Sequence, residues 1–241
     1  MVSIIIESRS PTPLYVQLVE QFRHMIESGE LKPGDQFPTE LELVEKYGVA
    51  RITVRRAINE LVQDGLLVRR QGKGTFVARP KIERELINVS SFSNRMLAQG
   101  LHPSSKVMGV ERISATAKLA RILGAPEGAP LVVIRRIRYA NEEPTALETS
   151  YLVEERCPGI AHRDLSQQSL YKILEEEYGL TPDHSRRTLE VTSATSTEAR
   201  LLQLHVGAPL FLIKATVYTA DETVMEYAKL LFRADRFRFQ L

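Results

Sequence analysis

A cluster of basic residues begins at position 51, and its spacing suits hydrogen bonding to a polyanion. Arg51 and Arg55 are four residues apart, so they share one face of a helix that begins at Arg51. Thr53 and Arg56 flank that face. A helix that inserts its first turns into the major groove of DNA uses such arginines for paired hydrogen bonds to guanine. We therefore treat these four residues as candidate DNA contacts.

A second basic group lies on a predicted β-hairpin. Two β-prone runs surround a Gly-Lys-Gly tip at residues 72–74, which is typical of a hairpin turn. Basic side chains there suit phosphates or an adjacent minor groove, and glycine lets the backbone approach the duplex closely. The candidate contacts of this hairpin are Arg69, Arg70, Gly72 and Lys73.

Three predicted helices precede the hairpin and would position these residues. Thr12-Pro13 predicts the start of the first helix, with Thr12 as N-cap, and Gly29 predicts its end. Thr39-Glu-Leu-Glu42 has the pattern of a capping box, which makes Thr39 a helix cap and a further candidate DNA contact. This second helix ends at Gly48, and a tight turn separates it from the third, which ends at Gly65. This order is that of a helix-turn-helix followed by a wing.

Charge is distributed unevenly over the same region. Residues 1–50 carry a net charge of -4, whereas residues 51–79 carry +5 within a chain of net +2. A solvated face of a small domain with ordinary surface arginines would also explain such a block. Its coincidence with the third helix and the hairpin favours DNA binding.

The motifs of residues 12–78 together resemble the DNA-binding domain of GntR-type regulators. The resemblance rests on Pro13-Leu-Tyr, Leu31-Lys-Pro-Gly-Asp, Pro38-Thr-Glu, Gly48-Val-Ala-Arg-Ile-Thr-Val-Arg-Arg-Ala and Gly72-Lys-Gly-Thr-Phe-Val. It implies that Arg51, Thr53 and Arg55 read bases or adjacent phosphates, and that Gly72 and Lys73 place the wing. Leu41 and Ala50 depart from the family pattern, which often has arginine and serine there.

The remainder of the chain is expected to form a second domain. Residues 79–86 are charged and contain proline, so they predict a linker between a DNA-binding domain over 1–78 and a domain over 87–241. The second domain contains an internal repeat, because Gly-Ala-Pro-Leu occurs at 128–131 and at 207–210. Each copy follows a short helix and precedes a predicted β-hairpin. The repeat predicts a pseudo-symmetric α+β domain with an antiparallel sheet.

Polar residues on these elements indicate a possible pocket. Arg136 and Arg138 point to one side of their strand, which fits either an anionic ligand or a solvated strand face. Ser169 would cap a third helix of this domain, where free amides also suit an anion, but Ser169 taken alone favours a plain structural cap. Glu148 and Glu226 are candidates for binding hydroxyl groups or are exposed strand residues.

This second domain resembles the effector domain of the HutC-type branch, whose fold is similar to chorismate lyase. The matching segments include Ile134-Arg-Arg-Ile-Arg-Tyr, Glu148-Thr-Ser-Tyr-Leu, Ser169-Leu-Tyr171 and Arg233-Ala-Asp-Arg-Phe. In members that bind amino-sugar phosphates, the positions matching Phe92, Ser93, Arg136, Ser169 and Tyr171 meet the phosphate. Those matching Arg138, Glu148 and Glu226 meet the sugar. The family tyrosine that helps hold the sugar falls at Phe232, so urocanate and other acids are also candidate effectors.

These observations favour a transcription regulator, acting as a repressor. We expect a homodimer that binds a double-stranded DNA operator and is released by a small effector. A single cysteine, Cys157, excludes an internal disulfide and a cysteine-based metal site, and no apolar run reaches the roughly 20 residues that span a bilayer. We therefore expect a cytoplasmic protein without membrane association, cofactor or metal. An enzyme with a lyase-like domain and a purely architectural DNA-binding protein are the alternatives.

Overall fold

The computed structural model describes residues 10–70, 72–85, 91–166 and 168–240. The chain divides into two compact units, the first ending at Pro80 and the second beginning at Lys81. Within the described residues, no helix is long and apolar enough to cross a membrane.

The first unit has the predicted winged helix-turn-helix architecture. Its helices and antiparallel strands are α1 (Leu14–Glu27), α2 (Glu40–Tyr47), α3 (Arg51–Gln63), β1 (Leu67–Arg70) and β2 (Gly74–Val77). The helices bury one apolar core, in which the ring of Phe22 packs edge-on against Phe37 and Tyr47 at centroid distances of 5.1 and 5.8 Å.

The helix caps of the first unit agree with the sequence except at α1. Thr39 caps α2 in a complete capping box with Glu42, and Gly48 ends the helix in the left-handed conformation. Pro13, rather than Thr12, is the N-cap of α1, because its carbonyl accepts the first helical N–H groups, from Val16 and Gln17.

The second unit is built on a six-stranded antiparallel sheet. Its strands are β4 (Pro103–Ser114), β5 (Pro130–Ala140), β6 (Glu143–Val153), β7 (His184–Ser193), β8 (Pro209–Tyr218) and β9 (Val224–Arg233). Their spatial order is β4-β5-β6-β9-β8-β7. The helices of the unit are α4 (Phe92–Ala98), α5 (Ala117–Leu123), α6 (Leu170–Tyr178) and α7 (Ser196–Leu202), with 3-10 turns at Glu154–Arg156 and Ile160–His162.

The internal repeat corresponds to the two halves of this sheet. Each half contributes three strands, and the central strands β6 and β9 pair with Thr149 opposite Lys229. Thr116 and Thr195 cap the equivalent helices α5 and α7 through their side chains. The predicted pseudo-symmetric antiparallel architecture is confirmed.

The expected linker over 79–86 is wrong for its central residues. Ile82–Glu85 forms a strand, β3, which pairs in parallel with β10 (Phe237–Gln240) near the other end of the chain. Ile82 is buried opposite Phe237, and Arg84 is buried two residues later. An alternation of only two inward residues, one of them arginine, carries too little hydrophobic signal to identify a strand.

Candidate DNA-reading face and ligand pocket

The exposed N-terminal face of α3 presents two arginines that share one carboxylate. The side chains of Arg51 and Arg55 are 70% and 53% exposed. Arg51 Nε donates to Glu40 Oε2 at 2.8 Å, and Arg55 donates from Nε and Nη2 to the two oxygens of Glu40 at 3.0 and 3.1 Å. Hydrogen bonds from these arginines lower the pKa of Glu40 to about 2. Glu40 therefore stays ionised and orients both guanidinium groups.

The other predicted contacts on the helices have additional structural partners. Arg56 lies over the ring of Tyr15 on α1, 3.7 Å from the centroid, and Thr53 is half-buried. The Thr39 hydroxyl donates to Glu42 Oε2 at 2.9 Å and accepts from the Glu42 amide at 3.3 Å. Their assignment to DNA contact stays a prediction.

The wing has the backbone geometry that its glycines predict. Gly72 and Gly74 both have positive φ angles, +71° and +114°, and Lys73 at the tip is exposed. Arg69 Nη2 donates to Asn59 Oδ1 at 2.6 Å. Arg70 belongs to β1, but its side chain lies outside the described residues.

The structure adds Glu40 to this face and shows two exposed apolar residues close by in the chain, none of which the sequence analysis selected. Glu40 orients the two arginines, and it was missed because its partners lie on the next helix. Leu41 and Ile52 are large apolar side chains that are 66% and 78% exposed, next to Glu40 and Arg51 in the chain. Apolar contact with a thymine methyl group is the chemistry available to such residues in a major groove.

The second unit contains a pocket lined by β3, α4, the start of α6 and one face of the sheet. Seven of the eight predicted effector residues line it: Phe92, Arg136, Arg138, Glu148, Ser169, Tyr171 and Glu226. Ser93 contacts the same group, since its hydroxyl accepts a hydrogen bond from Arg138 Nη2 at 3.1 Å. Apart from Phe92, the apolar part of the lining consists of small and aliphatic residues: Leu170, Ile213, Ala215, Val217, Ala228 and Leu230.

Arg136 and Arg138 form a buried charge cluster with Glu148. The exposed fractions of the three side chains are 3%, 4% and 10%, which rules out the solvated strand face. Glu148 Oε2 lies 2.6 Å from Arg136 Nη2 and 3.6 Å from Arg138 Nη1. Burial alone would raise the pKa of Glu148, but the two positive charges hold it below its usual value. Burial lowers the pKa of Arg138 to about 10, so it stays protonated near neutral pH.

A second polar pair lies at the start of α6. Tyr171 Oη donates to Glu226 Oε2 at 2.8 Å, and Glu226 is only 1% exposed, so the exposed-strand alternative is wrong for it too. Burial and the charge of Glu148 raise the pKa of Glu226. Ser169 is the N-cap residue of α6, but its side chain makes no capping hydrogen bond. Ser169 therefore does not act as the structural side-chain cap that the sequence favoured.

Two further arginines of the pocket were missed from the sequence, the buried Arg84 and the half-buried Arg187. Arg84 comes from β3, inside the expected linker, and its guanidinium lies 4.6 Å from the ring centroid of Phe232. Burial and the nearby charges of Arg95 and Arg187 lower the pKa of Arg84 to about 9. Arg187 lines the pocket from β7. Strand alternation could have placed Arg187 on the inner face, but the strand itself had no clear sequence boundary.

A winged helix-turn-helix joined to a domain with a buried ligand pocket defines the class of ligand-controlled DNA-binding regulators. Comparison with known families agrees: residues 14–77 match the bacterial regulatory proteins of the gntR family, and residues 98–238 match the UTRA domain. The chain belongs to the gntR family, in the branch that carries a UTRA effector domain.

Similar proteins cover nearly the whole chain. The HTH-type transcriptional repressor NagR of Bacillus subtilis is 38% identical over 97% of this chain and 96% of its own length. The histidine utilization repressor of Klebsiella aerogenes is 32% identical, with coverages of 96% and 95%. The crystal structure of PhnF from Mycobacterium smegmatis is 32% identical, has a TM-score of 0.67, and covers 92% of this chain and 96% of that one. The protein is thus a DNA-binding transcriptional repressor with an effector-binding domain, and not an enzyme.

Proposed function

We propose that an anionic effector, a sugar phosphate or an organic acid, binds the pocket of the second unit and releases the repressor from its operator. The observation that carries this proposal is the charge of the lining. Among the described residues that line the pocket, three buried arginines, Arg84, Arg136 and Arg138, and the half-buried Arg187 face two glutamates, Glu148 and Glu226. Buried charges require compensating charge, and an anion supplies it.

The proposed anion site lies where Arg136 and Arg138 face the start of α6. Free amides at a helix N-terminus favour an anion, and Ser169 has a hydroxyl that is not used in capping. Phe92 and Ser93 complete this end of the pocket, where Phe92 lies under Arg138 at 4.5 Å. We assign Glu148 and Glu226 to the hydroxyl or amino groups of the effector, because carboxylates accept from such donors. Tyr171, at the start of α6, is assigned to the anion site, as the family resemblance implies.

On the DNA side, we assign base and phosphate contacts to the residues named from the sequence. These are Thr39, Arg51, Thr53, Arg55, Arg56, Arg70, Gly72 and Lys73. Helix-turn-helix regulators read two half-sites with two copies of the recognition helix, which supports a homodimer. Because operator DNA in bacteria lies in the cytoplasm, we propose this location for the protein. An effector that favours one dimer arrangement over another would change the half-site spacing and release the DNA.

The experiment that tests the proposal is a titration of operator DNA against effectors. A fluorescent fragment from upstream of the protein's own coding region is bound at moderate salt with nonspecific competitor, and sugar phosphates and organic acids are added. We expect an anionic compound to release the DNA. Release by neutral compounds alone would contradict the proposal.

Ser169→Ala should raise the effector concentration that releases half of the DNA by about tenfold. This change corresponds to the free energy of one hydrogen bond to a charged group. The melting temperature should not change, because Ser169 makes no capping hydrogen bond. The control is Thr116→Ala, whose cap on α5 is used. It should lower stability by about 1 kcal/mol and leave release unaltered. An unchanged effector response in Ser169→Ala would remove Ser169 from the site.

Thr39→Ala should separate the capping role of this residue from DNA contact. Thr39 and Thr195 make equivalent capping boxes, on α2 and α7. Loss of either should cost about 1 kcal/mol of unfolding free energy, measured by denaturant titration. Only Thr39→Ala should also weaken operator binding at temperatures where both variants are folded. If the two variants bind the operator equally well, Thr39 acts only as a cap.

A further inference from the structure

We propose that Arg84 forms a second anion-binding point in the pocket, so that the effector carries a carboxylate in addition to its phosphate. This inference rests on the proposed function, which places the first anionic group against Arg136, Arg138 and the start of α6. The effector would then be a phosphorylated carboxylic acid, such as a phosphorylated sugar acid.

The first step of the argument is the state of the Arg84 side chain. Arg84 is 8% exposed and lines the pocket, and its Nη1 is fully buried without a hydrogen-bond partner in the described part of the chain. The ring of Phe232 supports one face of the guanidinium but accepts no conventional hydrogen bond. A buried donor of this kind is costly unless a ligand satisfies it.

The second step is the position of Arg84 relative to the other charges. Arg136 and Arg138 lie on β5 and already contact Glu148, whereas Arg187 lies on β7. The Arg84 guanidinium lies over Phe232 of β9, and β9 is two strand spacings from β5, about 10 Å between backbones. Arg84 is therefore a second positive centre of the pocket, two strands away from Arg136 and Arg138.

The third step is the lining between the two positive centres. β6 and β9 contribute Glu148 and Glu226 to it, as well as Ala228 and Leu230. Glu148 lies against Arg136 at 2.6 Å, whereas Arg84 Nη1 has no hydrogen-bond partner in the described part of the chain. A single anion held by Arg136 and Arg138 leaves this donor unsatisfied. A ligand with an acidic group at each end satisfies both centres, and its hydroxyl groups face the two glutamates.

Phe232 supports the assignment of a carboxylate to this end. It occupies the position where the family resemblance expects a tyrosine hydroxyl, and it is fully buried. Arg84 lies over this ring and offers donors to a ligand, whereas a tyrosine hydroxyl would serve a sugar hydroxyl. An arginine fork matches a carboxylate in geometry and charge.

The test uses pairs of compounds that differ only in this carboxylate. These are 6-phosphogluconate against sorbitol 6-phosphate, and 3-phosphoglycerate against glycerol 3-phosphate, with inorganic phosphate as the minimal probe. Binding to the full-length protein is measured by thermal shift and calorimetry. In at least one pair the acid should bind about tenfold or more tightly than the alcohol, as for a hydrogen bond between charged groups.

Arg84→Gln should abolish the preference for the acid and keep the response to inorganic phosphate. The control is Arg238→Gln, since Arg238 is an exposed residue of β10 near Glu83 and should leave the preference unchanged. Equal binding of acid and alcohol, or a preference that persists in Arg84→Gln, overturns the inference while the anionic pocket stands. Failure of every phosphate compound, including inorganic phosphate, also overturns the inference, whereas the proposed function fails only if organic acids do not release the operator either.

Discussion

Arg55→Ala is expected to weaken operator binding by about 30-fold or more, with little change in stability. One paired arginine contact to a base contributes about 1–3 kcal/mol, and a dimer loses two such contacts. The side chain of Arg55 is 53% exposed and pairs with the partly exposed Glu40. An exposed ion pair contributes at most about 1 kcal/mol to folding, so the melting temperature should stay nearly constant. Fluorescence anisotropy with operator DNA and a denaturant titration measure the two quantities.

The matched control is Arg23→Ala in the same unit. Arg23 lies on α1 and pairs with Asp64 at 2.6 Å, with side chains 40% and 43% exposed. The Arg23→Ala substitution removes one positive charge and one ion pair, as Arg55→Ala does, but away from the N-terminal face of α3. Operator affinity should change by about twofold at most. Equal losses in both variants would mean that Arg55 acts through net charge alone and does not read the operator.

The DNA-binding unit could be predicted because its signals are local. The capping box at Thr39 and the left-handed Gly48 lie within a few residues of the helix ends they define. The face shared by Arg51 and Arg55 follows from helical periodicity alone. Their connection to Glu40 could not be predicted, because it depends on how α2 packs against α3.

Most residues that line the pocket could be predicted from the sequence, but the contacts between them could not. The resemblance selected Arg136, Arg138 and Glu148, and strand alternation placed the two arginines on one face. Their burial and the 2.6 Å contact of Arg136 to Glu148 depend on the register of β5 against β6 and on the cover above the sheet. A single sequence does not specify that register.

Arg84 illustrates the largest gap between sequence and structure. Its strand pairs with residues more than 150 positions away, and parallel pairing between distant segments leaves no local pattern.

The internal repeat predicted the arrangement of strands in the sheet but not the side chains that line the pocket. By the sheet register, Arg136 pairs with Glu148 on one half, whereas Ala215 pairs with Ala228 on the other. A symmetric sheet thus carries an asymmetric pocket.

Glu148→Gln is expected to destabilise the second unit by about 3–5 kcal/mol, since it leaves two buried arginines without their carboxylate. For a unit of this size the melting temperature should fall by roughly 10 °C. Inorganic phosphate should restore part of the loss, because it binds only the folded pocket. Differential scanning calorimetry with and without phosphate measures both effects. The control Glu154→Gln removes the partner of Arg112, whose side chain is 52% exposed, and should cost about 1 kcal/mol or less.

The pH dependence gives an independent check on the same residue. The folded-state pKa of Glu148 is lowered from its usual 4.5, so its stabilising charge is fully present above that value. The contribution is lost as pH falls from about 4.5 through the lower folded-state pKa, where the carboxyl takes up a proton. The difference in unfolding free energy between wild type and Glu148→Gln should therefore be largest near neutral pH and shrink below pH 4.5. A difference that is constant with pH would show that the variant acts through packing, and that the charge of Glu148 does not hold Arg136 and Arg138 in place.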